Sequence, residues 1–206
     1  MTKLSRPGFV VTGQRIEEGL DQLDRLYRLA RELCPDEFIA EETRELRALY
    51  PHVSIGLIDS LRAQLANKLG LPPEVFSRDR FSIHGCGPVG LHDDFFRFPY
   101  VYFVLVVAHC GRLGLVSGEE RAVPHRSGDI ILLDPRAKHA LVPAGLTAEE
   151  HPYESTHAPV RDEALQFMFL DFDVRRPDLR ARFRKLDYPG ASACAGAPLS
   201  PCGHKH

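Results

Sequence analysis

The sequence has no apolar run long enough to cross a membrane. Its longest, Pro99 to Ala108, is about half of the roughly 20 residues that a spanning helix needs. The start carries no secretory core either: Lys3 and Arg6 precede Phe9, Val10 and Val11, and polar sequence resumes at Thr12. Charge of one sign is also missing. A formal net charge of -2 gives no global attraction to nucleic acid or to an anionic bilayer, so both kinds of partner are disfavoured. The 5 cysteines (Cys34, Cys86, Cys110, Cys194 and Cys202) are odd in number and lack the regular spacing of a disulfide framework. Reduced thiols in a soluble, cytoplasmic protein are the expectation.

What is present suits one domain with a substantial core: 206 residues, 44% hydrophobic, with 16 Gly and 16 Pro for many turns. The first third reads helical. Ile16, Leu20, Leu23, Tyr27, Ala30 and Leu33 recur at helix spacing until Pro35. A second helix is expected over Asp36 to Leu49, with Asp36 as N-cap. A third runs from Ser54 to Leu69, with Ile55, Ile58, Leu61, Leu65 and Leu69 on one face and Gly70 as its stop. After Pro73 the texture changes to short apolar runs: Phe81–Ile83, Tyr100–Val107, Leu113–Val116, Ile130–Leu133, Ala140–Val142 and Leu165–Phe172. Tyr100 to Val107 is apolar throughout, so that strand must be covered on both faces, as in a β-barrel with helices packed outside. Helices first and strands afterwards give an α+β, mainly β class. The expected organisation is one domain over 1–187, with helical support at 15–70, a barrel at 80–174 and a flexible tail at 188–206. The polar stretch Pro143 to Pro159, with Glu149, Glu150, His151 and His157, reads as a loop or lid.

The chemistry concentrates in Gly90-Leu91-His92-Asp93-Asp94. On a strand, His92 and Asp94 share a face and Asp93 takes the other. An imidazole beside a carboxylate makes two ligands for a borderline metal, and a second imidazole completes the facial arrangement of non-haem Fe(II) sites. His139 is the candidate, at the head of the strand after Gly128-Asp129 and its apolar run; His109 and His125 are its rivals, both near turns. Cys194, Cys202, His204 and His206 match no zinc module by spacing.

The series His92-x-Asp94, Gly128-Asp129 with its apolar run, and His139 resembles the Fe(II)- and 2-oxoglutarate-dependent oxygenases. The resemblance covers roughly Phe81 to Phe172. It implies a double-stranded β-helix (jelly roll, cupin-like barrel) braced by N-terminal helices. It also implies Fe(II) on His92, Asp94 and His139, with 2-oxoglutarate and O2 filling the remaining positions. A carboxylate at Asp94 implies hydroxylation or desaturation rather than halogenation. Such enzymes also need a cation for the distal carboxylate of 2-oxoglutarate, and a bidentate guanidinium suits it. Arg161 fits best by position, with Arg126, Arg97 and Lys138 as substitutes. Tyr102, with Tyr100 on the same strand face, is a candidate for hydrogen bonding to 2-oxoglutarate, with packing as its alternative role. The implied substrate is a small molecule or an amino-acid side chain, free or in a peptide. Two other readings share the barrel: a cupin-type metal enzyme without 2-oxoglutarate, and a ligand-binding barrel without chemistry.

Overall fold

Helices α1 (Leu20–Leu33) and α2 (Ile55–Leu69) form where the apolar spacing predicts them, except that Ile16 precedes α1, which starts after Gly19. The computed structural model describes residues 9–76, 80–94, 101–117, 119–135, 137–151 and 157–175, excluding the side chains of 9–12, 101, 102, 173 and 175. The tail expected at 188–206 lies outside the described residues. Helix α2 is capped at both ends and stops at Gly70, as expected. Ser54 accepts the N–H of Leu57 through its side chain at 3.1 Å, and Gly70 ends the helix in the left-handed region at φ 63°. Leu57, Ile58, Leu61, Leu65 and Leu69 are buried, but Ile55, expected on the same face, is 76% exposed. No helix among the described residues is long and apolar enough to cross a membrane.

The described residues form nine strands: β1 (Phe9–Arg15), β2 (Arg44–Glu45), β3 (Phe81–Cys86), β4 (Val89–His92), β5 (Val101–Cys110), β6 (Leu113–Val116), β7 (Asp129–Leu133), β8 (His139–Pro143) and β9 (Phe167–Arg175). They make a six-stranded sheet ordered β1-β7-β5-β9-β3-β2 and a three-stranded sheet ordered β4-β8-β6. All pairings are antiparallel. The mainly β class stands, but the two sheets are not joined by hydrogen bonds into one closed barrel among the described residues.

Strand β5 explains the layering. Val104, Val106 and Ala108 belong to the core shared with Leu23, Ala30, Leu61 and Leu65 of the helices. Phe103, Leu105 and Val107 alternate with them and pack toward Val89, Leu113 and Leu141 of the small sheet. A strand apolar at every position is thus covered by helices on one face and by a second sheet on the other. Strand β9 divides in the same way, with Met168, Leu170 and Phe172 on the helical side and Phe167 and Phe169 on the inner side.

The helix expected over Asp36 to Leu49 does not form. Phe38, Ile39 and Ala40 are buried in succession, which one helix face cannot satisfy. This segment instead runs across the ends of other elements, donating from Ala40 to the carbonyl of Ala158 and accepting at Ile39 from Gly87. It continues into β2, which pairs with β3, and a 3-10 turn at Arg47–His52. The edge strand β1, outside the expected set, pairs with β7.

Candidate metal centre

Strands β4 and β8 are antiparallel, and their register sets His92 directly opposite His139. Two residues far apart in sequence therefore become cross-strand neighbours, with ring centroids 4.3 Å apart. Asp94 lies just beyond the end of β4, and its backbone N–H is held by the carbonyl of Pro135 at 2.9 Å. Because β4 ends at His92, strand alternation does not reach Asp94. The turn before β8 is what places Asp94 there.

The three side chains converge. Oδ2 of Asp94 is 3.6 Å from Nε2 of His139 and 3.9 Å from Nε2 of His92. Ligand atoms of all three lie within 4.8 Å of one another. Adjacent ligands of one ion at bond lengths of about 2.1 Å stand about 3 Å apart, so small side-chain rotations close this set on a single cation.

The imidazoles are also held in the ligating form. Nδ1 of His92 donates to the carbonyl of Gly90 at 2.7 Å, and Nδ1 of His139 to that of Ala137 at 2.9 Å. A proton fixed on Nδ1 leaves the Nε2 lone pair for a metal. Burial, followed by the neighbouring His92, lowers the pKa of His139 below the usual imidazole range and keeps it neutral. The donor set and its tautomers thus fit a divalent ion bound on one face.

The triad opens into a cavity of about 190 Å³ between the sheets. Phe103, Phe167 and Phe169 form apolar wall, while Thr43, His84 and Asp171 add polar groups. Asp171 is only 7% exposed. Sequence reading missed these three, although Asp171 falls in phase with Phe167 and Phe169 once the strand is recognised.

The other candidate residues are placed elsewhere. Arg161 forms an ion pair with Asp36 on the surface, with both side chains about two-thirds exposed, and it is not among the residues lining the cavity. Arg126 and Lys138 are exposed. Arg97 and Tyr100 lie outside the described residues. The backbone of Tyr102 pairs with Val174 in β9, but its side chain lies outside the description. His109 stacks on Tyr27 at 3.6 Å between ring centroids. His125 accepts the N–H of Leu115 through Nε2. Neither rival enters the triad. In the polar segment after β8, Glu150 pairs with Arg121 at 3.2 Å and accepts the N–H of Thr147. Cys34, Cys86 and Cys110 are free thiols, and burial raises their pKa values to about 11, 12 and 12.

No family profile matches the sequence, and no curated protein matches it. Several solved structures resemble the fold. SnoN, a non-heme alpha ketoglutarate dependent epimerase from nogalamycin biosynthesis, is 15% identical with a TM-score of 0.45, over 82% of this chain and 77% of that one. SnoK, a non-heme alpha ketoglutarate dependent carbocyclase from the same biosynthesis, is 14% identical with a TM-score of 0.44, over 82% and 80%. EvdMO1 is 13% identical with a TM-score of 0.44, over 83% of this chain, which spans only 48% of EvdMO1. Likenesses at this level establish neither family nor chemistry, and the side chains of the cavity carry the functional reading.

Proposed function

We propose that this chain is a non-haem iron dioxygenase that uses 2-oxoglutarate and O2 to hydroxylate or desaturate a small molecule or an amino-acid side chain, releasing succinate and CO2. One observation carries this reading: His92, Asp94 and His139 converge at a mostly apolar cavity. Two imidazoles and one carboxylate on one face leave the other face of an ion free for cosubstrate and oxygen. Fe(II) bound there, with 2-oxoglutarate as co-reductant and O2 as oxidant, would supply the oxidising power to remove hydrogen from an unactivated C–H bond.

The chain's own residues do the rest. His92 and His139 hold the ion through Nε2, and Asp94 adds the negative charge that selects a cation. The phenylalanine rings exclude water and shape a compact substrate space, and Thr43, His84 and Asp171 orient polar groups. The two facing sheets are read as the halves of a double-stranded β-helix. Of the basic residues weighed for the distal carboxylate of 2-oxoglutarate, Arg161, Arg126 and Lys138 are exposed, and Arg97 lies outside the described residues.

The test is anaerobic addition of Fe(II) and 2-oxoglutarate to the full chain. A weak visible charge-transfer band is expected, and it should be absent in Asp94→Ala. Metal binding with no band and no succinate on admitting O2 in the presence of candidate substrates would leave the cupin-type reading. Failure to bind metal would leave a ligand-binding fold.

A further inference from the structure

Glu41 sits where three separate pieces of chain meet. Its backbone is left-handed, with φ 63°, a conformation that residues with a side chain keep only when their surroundings impose it. Its N–H donates to the carbonyl of Pro88 at 2.8 Å, in the turn before β4. Its carboxylate accepts the N–H of Gly90 with both oxygens, at 3.1 and 3.0 Å. The same carboxylate is 3.3 Å from Nε2 of His151, which belongs to the polar segment after β8. These two side chains are 18% and 9% exposed, so the contact is largely shielded from water.

Strand β4 needs such a partner. It has only four residues, lies at the edge of its sheet, and has a register break between Val89 and His92. A short edge strand with an interrupted ladder has little to fix its backbone. The carboxylate supplies an acceptor on the side that carries no neighbouring strand, and a charged acceptor makes the stronger bond. Gly90 permits this approach, since a Cβ there would stand 3.3 Å from Oε2 of Glu41.

The consequence reaches the metal centre in one step. The carbonyl of Gly90 accepts the Nδ1 proton of His92 and so sets the direction of its Nε2. We propose that Glu41 is a positioning residue: it fixes Gly90, and hence the aim of His92, and through His151 it ties the segment after β8 to the metal centre. This role rests on the reading of the triad as a metal site. It makes ligand geometry respond to movement of a segment that carries no ligand, as outer-shell partners of metal ligands do.

The experiment titrates the full chain with Co(II) alone, followed by ligand-field absorption, for wild type, Glu41→Gln, Glu41→Ala and His151→Leu. Glu41→Ala should weaken Co(II) binding by about 10–100-fold and change the absorption envelope, as losses in the outer shell do. Glu41→Gln, which keeps the size and one neutral acceptor, should weaken it by less, and His151→Leu should also alter the envelope. Metal-free melting temperatures report the folding contribution separately. If Glu41→Ala lowers the metal-free melting temperature, the Gln variant decides. Affinities within about twofold of wild type in the Glu41 variants, with unchanged envelopes, would overturn the proposal while leaving the metal site intact. A wild-type protein that binds no Co(II) would instead overturn the metal reading, and the role of Glu41 with it.

Discussion

Removing one ligand should separate the metal's contribution to stability from that of the fold. In Asp94→Ala the backbone N–H that donates to the carbonyl of Pro135 is retained. The side chain lost is short and lines the cavity, so little packing goes with it. A metal that binds only the folded state stabilises it by about 2.7 kcal/mol at a free concentration of 100 times Kd. For a domain of this size that raises Tm by about 5–10 °C, taking about 2–4 °C per kcal/mol. Loss of a ligand should weaken binding at least about 100-fold, since outer-shell losses alone reach that range. The same metal concentration then equals Kd, the stabilisation falls to about 0.4 kcal/mol, and the shift shrinks to about 1 °C. Thermal unfolding with and without Co(II), monitored by circular dichroism, measures both proteins. Equal metal-induced shifts in wild type and Asp94→Ala would remove Asp94 from the ligand set.

Two further outcomes follow from the burial pattern. Burial lowers the pKa values of His84, His109, His125 and His139 below the ordinary 6.5, so the unfolded chain binds more protons than the folded one as the pH drops below that value. Stability is therefore full above pH 6.5 and is lost on acidification, and metal-free Tm should fall between pH 7 and 5; an unchanged Tm would contradict the burial of these imidazoles. Within α2, Leu61→Ala, at a fully buried position, should cost about 2–5 kcal/mol. Ile55→Ala, at an exposed one, should stay within about 0.5 kcal/mol, as urea denaturation would show.

The elements legible in the sequence are those whose own residues carry the signal. Helix α2 announces itself through its apolar face and Gly70, and β5 through an unbroken apolar run that requires cover on both sides. His92, Asp94 and His139 were legible as a set because each stands beside a strand or turn signal. Their meeting depends on the β4–β8 register, which no local pattern contains. What escaped the reading is non-local in the same sense. The stretch from Phe38 to Glu41 has neither helix nor strand periodicity, because its buried residues answer to chain ends contributed by β3, β4 and the segment near Ala158. Arg161 was selected by its position before a strand, but Asp36, remote in sequence, holds it at the surface. Asp171 was readable in principle, as the polar member of an otherwise aromatic inner row.

His92 and His139 come from the small sheet and Asp94 from just beyond the end of β4, whereas Phe103, Phe167, Phe169 and Asp171 belong to the large sheet. The candidate metal centre and the aromatic wall of the cavity thus reside on different sheets, which pack against each other around it. Substitutions along β5 and β9 can recut the chamber for another guest without replacing any of the three candidate ligands. A library confined to those two strands is therefore the natural place to seek altered selectivity.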